Sequence, residues 1–291
     1  MSQFNPLLQS QEPIYYEMFL PSKGIPYLED GSMSTIFEED ALGKDGSLQV
    51  RALTTKDELI WTDKKLVEDL KAPMIVLKNT VLGLKKPELL IRADVEAILL
   101  QTRVLTYGKM TTISWNCSEC GKNNELNVDY TKLPVKKLEN FNELMLSFKN
   151  YELYMIPIIF KEAVEIQKAN DNDVSEQLDR IVSCIQRVDV FTEVPKFNTQ
   201  KHSGNDISTT ESVDNINSTN QTTKQSVIDK TMIAQWVEQM NPKDFRQIVD
   251  HFTKVNKIGT VMDLDVKCSN CGFKEKTDVV VDITNFFSEE D

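Results

Sequence analysis

Thr111-Thr112-Ile113-Ser114-Trp115-Asn116-Cys117-Ser118-Glu119-Cys120-Gly121 decides how this chain is read, because its pattern recurs near the other end. Leu264-Asp265-Val266-Lys267-Cys268-Ser269-Asn270-Cys271-Gly272 repeats it: alternating apolar residues run into a Cys-x-x-Cys-Gly knuckle. Ile113 and Trp115 lead to Cys117, as Leu264 and Val266 lead to Cys268, so each knuckle is expected at the turn of a β-hairpin. On the outgoing side Leu126, Val128 and Tyr130 match Val279, Val281 and Ile283, with a two-residue difference in length.

Thiolates bind zinc when four of them reach a tetrahedron at about 2.3 Å, and Cys-x-x-Cys lets one tight turn deliver two. The following glycine relaxes that turn by accepting φ > 0. The expected ligands of one structural zinc ion are therefore Cys117, Cys120, Cys268 and Cys271. Facing knuckle hairpins are the layout of a zinc ribbon, here split across a long stretch of chain. Four thiolates leave no position for a catalytic water. An iron centre of rubredoxin type, and reduced or disulfide-bonded cysteines, are the alternative readings. Cys184, between Val182 and Ile185, reads as a buried inert thiol.

The chain has 291 residues and a formal charge of -12, so its field repels phosphate backbones and anionic lipid. Neither nucleic acid nor a membrane is an expected partner. Thr111 to Thr131 carries Glu119, Glu125 and Asp129 against Lys122, and the second hairpin is also acidic. A zinc-ribbon nucleic-acid adaptor and a rubredoxin-like electron carrier stand as alternatives. Met1 to Tyr16 has neither the basic nor the apolar part of a secretion signal. The longest apolar run, Tyr154 to Phe160, is far shorter than the roughly 20 residues that span a bilayer. His202 lies in a polar tract, and His251 reads as a partly exposed helix residue without a metal-spaced partner. With no phosphate-binding glycine loop and no Gly-x-Ser-x-Gly elbow, the chain is not expected to be an enzyme.

The fold class expected is α+β: a mainly helical body with a split four-cysteine zinc ribbon formed by two β-hairpin knuckles distant in sequence. Residues 1–30, with four prolines among aromatics such as Phe4, Tyr15, Tyr16 and Phe19, read as an extended N-terminal arm. Residues 31–110 read as a helical region. In it Thr55 and Glu58 have capping-box spacing, a stripe follows through Leu59, Ile60, Leu66, Val67 and Leu70, and Pro73 lies just behind its end. Further helical starts are expected near Pro87 and at Asp94, with a stop at Gly108. The first knuckle hairpin spans 111–131. Residues 132–196 hold a strand from Tyr151 and helix from Pro157 to about Val188, broken near Asp171 to Asp173. Residues 197–226 read as a disordered polar linker. Residues 227–259 read as a helical hairpin whose second helix is capped by Asn241 with Pro242 at its first position and ended by Gly259. The second knuckle hairpin and tail occupy 260–291.

Leu20-Pro21-Ser22-Lys23-Gly24, Arg51-Ala52-Leu53-Thr54-Thr55-Lys56-Asp57-Glu58-Leu59 and Asp94 to Gly108, with Leu99-Leu100-x-x-Arg103-x-x-x-Tyr107-Gly108, lead into the first knuckle. This set resembles the baseplate-hub and hub-assembly proteins of T4-like contractile-tailed bacteriophages, over roughly Leu20 to Tyr130. The resemblance implies a structural or assembly-factor protein that binds other baseplate hub proteins. It also implies synthesis in the host bacterial cytoplasm and a possible place in the virion tail, with no catalytic residues. Oligomeric state does not follow from it. Arg103, amid apolar helical residues, reads as solvent-facing, with a buried ion pair or an interface contact as the alternatives.

Overall fold

The computed structural model describes residues 12–29, 31–69, 71–168, 174–193 and 222–278. Helices and small antiparallel sheets share the chain, in keeping with the expected α+β class.

β1 (Tyr15–Phe19) pairs antiparallel with β2 (Ser47–Arg51), and the short helices α1 (Ile25–Glu29) and α2 (Met33–Ile36) lie between them. The described part of the N-terminal arm is the extended strand β1 followed by the short helix α1. Register with β2, whose Leu48 and Val50 are buried, is what holds it. Phe4, Leu7 and Leu8 lie outside the described residues.

α3 (Thr55–Thr62), α4 (Lys64–Glu68), α5 (Ala72–Thr80) and α6 (Arg92–Tyr107) follow, with a 3-10 turn at Pro87–Leu89 before α6. The single stripe expected from Thr55 breaks at Asp63, whose carboxylate accepts from the N–H groups of Lys65 and Leu66 and so starts a new helix. Leu70 lies outside the described residues. Pro73 belongs to the first turn of α5, where a missing N–H leaves no bond unmade, so it opens a helix instead of following one. The capping box sits one residue earlier than read: Thr54 Oγ1 accepts from the Asp57 N–H, and the Asp57 carboxylate accepts from the Thr54 N–H. Glu58 accepts instead from the Tyr107 hydroxyl at 2.8 Å.

α6 begins at Arg92, which places Asp94 inside its first turn, and ends at Gly108 as expected. The helix buries Val95, Ile98 and Leu99 in a core shared with Val76 and Leu77 of α5 and Leu48 and Val50 of β2. Asp94 is fully buried and accepts from Ser22, through both its N–H and its hydroxyl, and from the Tyr27 hydroxyl. Burial pushes its pKa up to about 6 against these bonds. Arg103 is half-buried, its guanidinium 5.1 Å from the Tyr130 ring and 5.8 Å from the Tyr107 ring, which corrects the solvent-facing reading. Both rings lie close enough for their π faces to attract the cation.

β3 (Met110–Asn116) and β4 (Asn123–Asp129) form the first hairpin, and β5 (Val135–Lys136) follows. A second core then builds on β6 (Met145–Ser147), β7 (Tyr151–Met155), α8 (Val174–Cys184), β8 (Ile185–Glu193) and β9 (Thr222–Val227), while α7 (Phe160–Lys168) packs Phe160 and Val164 on the first core. The strands make one antiparallel sheet in the order β6-β7-β8-β9. The helix expected to reach Val188 stops at Cys184, because Ile185, Val188 and Val190 form the strand between β7 and β9. Asp171 to Asp173 and residues 198–221 of the polar tract lie outside the described residues. Thr222 to Ser226, read as linker, belong to β9, where the Thr223 hydroxyl meets that of Thr192 at 2.7 Å.

α9 (Lys230–Glu238) and α10 (Pro242–Val255) are the expected helical hairpin, and the Asn241 side chain accepts from the N–H groups of Lys243 and Asp244. Ile233, Val237 and Ile248 pack onto the sheet. α10 ends at Asn256; Gly259 instead opens β10 (Gly259–Thr260), which pairs with β5. His251 is buried, not partly exposed, because α10 presents that face to the core with Ile248 and Val255. β11 (Asp263–Lys267) and β12 (Lys274–Asp278) complete the second hairpin.

Candidate metal centre

The two knuckle hairpins share one register. Ile113 faces Leu126 and Trp115 faces Asn124 in the first; Leu264 faces Thr277 and Val266 faces Glu275 in the second. Counted from the cysteines the positions coincide, so the two-residue length difference read from the apolar pattern is not a feature of the described ladders. Thr277 stands where Leu126 stands, and Val279, Val281 and Ile283 lie outside the described residues.

Each turn closes by the same bonds. The Cys117 N–H donates to the Lys122 carbonyl at 2.9 Å and the Gly121 N–H to the Cys117 carbonyl at 2.9 Å. The Cys268 N–H donates to the Phe273 carbonyl at 2.9 Å and the Gly272 N–H to the Cys268 carbonyl at 3.1 Å. Gly121 and Gly272 have φ of 68° and 73°, the left-handed region in which a side chain is strained. Trp115 and Val266 are buried with Cys117 and Cys268 in a small core of their own, lined by Leu126 and Leu264.

The sulfurs of Cys117, Cys120, Cys268 and Cys271 all lie within 4.8 Å of one another. Cys117 Sγ is 3.7 Å from Cys271 Sγ, and Cys120 Sγ is 3.7 Å from Cys268 Sγ, each pair joining opposite knuckles. A disulfide needs about 2.0 Å. A tetrahedron with metal–sulfur bonds of about 2.3 Å has sulfur–sulfur edges of about 3.8 Å. The spacing therefore suits a shared metal and leaves all of these thiols unbridged.

Side chains from each hairpin bind the opposite knuckle in a near-twofold arrangement. Asn124 Oδ1 accepts from the Ser269 N–H at 3.0 Å and from the Ser269 hydroxyl at 2.8 Å, while Asn124 Nδ2 lies 3.7 Å from Cys268 Sγ. Glu275 Oε1 accepts from the Ser118 N–H at 3.2 Å. Asn270 Nδ2 donates to Cys120 Sγ at 3.6 Å. Asn124 and Glu275 are the residues that the knuckle motif alone does not find. The signal was available: each stands four positions after the second cysteine of its knuckle and follows the same Ser at the second knuckle position.

Without a cation the thiols cannot all ionise together. The Cys271 N–H, with other backbone donors, draws the Cys268 thiol down to about 6. The Phe273 N–H also pulls on Cys271, but desolvation and the neighbouring sulfurs outweigh it and push that thiol up to about 12. Like charges this close hold one another off until a cation neutralises them. Cys184 is not part of this cluster. It is buried in the second core, and that burial, with Glu162 nearby, pushes it up to about 12, so it is a poor nucleophile.

The family model described as T4 bacteriophage base plate protein matches residues 33–288. No curated protein and no solved structure matches the chain. The match runs over most of the sequence, and the chain belongs to the T4 bacteriophage base plate protein family.

Proposed function

We propose that the chain is a non-enzymatic structural or assembly-factor protein of the contractile-tail baseplate hub, and that its four clustered cysteines hold one structural zinc ion. The observation that carries the metal reading is the pair of 3.7 Å sulfur contacts between knuckles, close to the edge of a zinc–thiolate tetrahedron. Cys117, Cys120, Cys268 and Cys271 would supply every ligand, so a bound zinc would act as a clasp with no position open to a substrate. Asn124, Asn270 and Glu275 would orient the knuckles around it.

Binding to other hub proteins is the working function of such a scaffold. Ile14, Tyr16 and Phe19 are exposed, which supports the segment around β1 as part of the partner surface. In domain terms, the helical region, the sheet region and the helical hairpin would be held together at the ribbon. Metal analysis of the purified wild type beside Cys268→Ser tests the site. One zinc per chain in the wild type and a large loss in the variant are expected. A wild type free of zinc, or one with the visible absorption of iron–thiolate, overturns it. Capture of hub proteins from infected cells, with loss on deleting residues 1–16, tests the arm; unchanged capture removes it.

A further inference from the structure

The sulfurs of Cys117, Cys120, Cys268 and Cys271 can pair as two disulfides in three ways. Cys117 and Cys268 are buried, whereas Cys120 and Cys271 are exposed. Joining Cys117 to Cys268 would pair two sulfurs that are both shielded from an oxidant in solvent. The two remaining patterns, within each knuckle or crossed between knuckles, both set an exposed sulfur beside a buried one.

Geometry favours the crossed pattern. Cys117 Sγ and Cys271 Sγ lie 3.7 Å apart, as do Cys120 Sγ and Cys268 Sγ, so both crossed pairs are already in contact. An inward shift of less than about 1 Å by each sulfur closes that gap to the disulfide length of about 2.0 Å. Amides hold one of these pairs from across the ribbon: Asn270 Nδ2 donates to Cys120 Sγ at 3.6 Å, and Asn124 Nδ2 reaches Cys268 Sγ at 3.7 Å. Neither contact needs an ion. Crossed bonds also link the same distant positions that a shared metal would, 154 apart for Cys117 and Cys271 and 148 apart for Cys120 and Cys268. Bonds within a knuckle join neither hairpin to the other.

We propose that Cys120 and Cys271 are sites of oxidation by peroxide, and that the buried thiols of Cys268 and Cys117 trap them as the crossed disulfides Cys120–Cys268 and Cys117–Cys271. The exposed sulfur attacks one oxygen of hydrogen peroxide, the O–O bond breaks, and a sulfenic acid and one water result. The buried thiol of the opposite knuckle attacks that sulfenic sulfur; the S–O bond breaks, the S–S bond forms and a second water leaves. Each disulfide thus takes two electrons from a pair of thiols, reduces one peroxide and carries the thiol protons off in water. Where the sulfurs start as thiolates, solvent supplies those protons. Disulfide sulfur no longer offers the negative charge that a cation needs, so a held ion is released while the hairpins stay joined by covalent bonds. That release rests on the metal reading of the site; the pairing of the sulfurs does not.

Hydrogen peroxide added to the full zinc-supplemented chain tests it, with metal content measured beforehand and zinc release followed by a chromophoric chelator. Free thiols are then blocked, and disulfides are mapped by mass spectrometry of a non-reducing digest of the monomer band. Expected are the linked peptides Cys117–Cys271 and Cys120–Cys268, zinc released in step with them, Cys184 still free, and recovery of the thiols with dithiothreitol. Dimedone, which traps sulfenic acid, should label Cys120 on the order of 10-fold more in Cys268→Ser than in the wild type, because the trapping thiol is gone. Disulfides within the knuckles overturn the proposal, as do sulfinic acids at Cys120 and Cys271 without disulfides, or thiols left intact by peroxide that fully oxidises glutathione. Crossed disulfides in a chain that carried no zinc leave it standing and overturn the metal reading alone. Disulfides within the knuckles of a zinc-loaded chain do the reverse.

Discussion

Removing the metal from the ribbon is expected to cost the whole fold several kcal/mol, and the size follows from where the cysteines stand. Cys120 and Cys268 are 148 positions apart. An unfolded chain can still offer four thiolates, but it must first close that loop, which by chain-entropy scaling costs about 5 kcal/mol at 25 °C. The folded chain has closed it already through the two cores. Zinc therefore binds the folded state more tightly by up to about 5 kcal/mol, and linkage returns that difference as stability when zinc is in excess. For a chain of this size about 2–4 °C of melting temperature accompanies each kcal/mol, so stripping the metal should lower the midpoint by up to roughly 10–20 °C. The assay is scanning calorimetry of zinc-loaded protein, of protein stripped by chelator and of Cys268→Ser, with Cys184→Ser as a control whose response to chelator should match that of the wild type. A shift below about 2 °C, with metal loss verified and the stripped protein still folded, would refute the reasoning. It would mean that the clustered thiols gain nothing from a cation that the fold does not already supply.

Other perturbations read single groups. Asp94 has a folded pKa of about 6 against an ordinary 3.8, so the folded state binds the extra proton and its stabilising contribution is lost as pH rises through that window. The difference is about 3 kcal/mol. Urea unfolding from pH 3.5 to 7.5 should show wild type losing stability relative to Asp94→Asn as pH rises, and parallel curves would exclude the buried-acid account. Asp57 has about 1% of its side chain exposed and receives Arg51 at 2.7 Å and Asn79 at 2.9 Å, so Asp57→Ala takes the carboxylate from a largely buried guanidinium and leaves it the Ala52 carbonyl. It should cost about 3–5 kcal/mol by chemical denaturation, far more than a surface ion pair. Asn124→Ala and Glu275→Ala should each weaken zinc binding by about 10–100-fold in competition with a chromophoric chelator while leaving one ion per chain. Unchanged affinity in both would show that the crossed contacts do not support the ligands.

What could be read from the residues was whatever is encoded locally. The knuckles declare themselves because the turn needs glycine at Gly121 and Gly272 and thiols at fixed spacing, and Asn241-Pro242 declares a helix start because both residues satisfy its first turn. The errors arose where a distant contact decides. Asp94 looks like an N-cap until Ser22 and Tyr27, remote in sequence, claim its carboxylate. Ile185 to Val190 suit a helix end as well as a strand, and only the flanking β7 and β9 make them a strand. Arg103 looked solvent-bound until Tyr130, beyond the first hairpin, closed over it. Within the candidate site the cysteines were legible, but Asn124 and Glu275 were not singled out, because their role appears only when each hairpin faces the other's turn.

The position of the hairpins gives the clasp its mechanical sense. β3 leaves α6 after only Gly108 and Lys109, and β11 leaves α10 through the β10 segment, so the ribbon joins the ends of the main helices of both cores. β10, which follows α10, meets α6 near its start, where Gly259 lies so close to Ala93 that a Cβ there would stand 3.1 Å from the alanine methyl. The Arg92 N–H also donates to the carbonyl of Ile158, whose side chain packs on the second core, and the Phe160 N–H donates to the Leu90 carbonyl. The cores are thus joined by packing along the first turn of α6 and by the ribbon beyond its last turn. A further cluster of Leu138, Leu144, Tyr154, Ile156 and Val255, with Ile25 packed against it, also bridges the two parts of the chain. A metal ion held by the four cysteines is expected to stiffen the joint that the ribbon makes. A scaffold whose function is binding gains affinity from that pre-organisation without adding a contact.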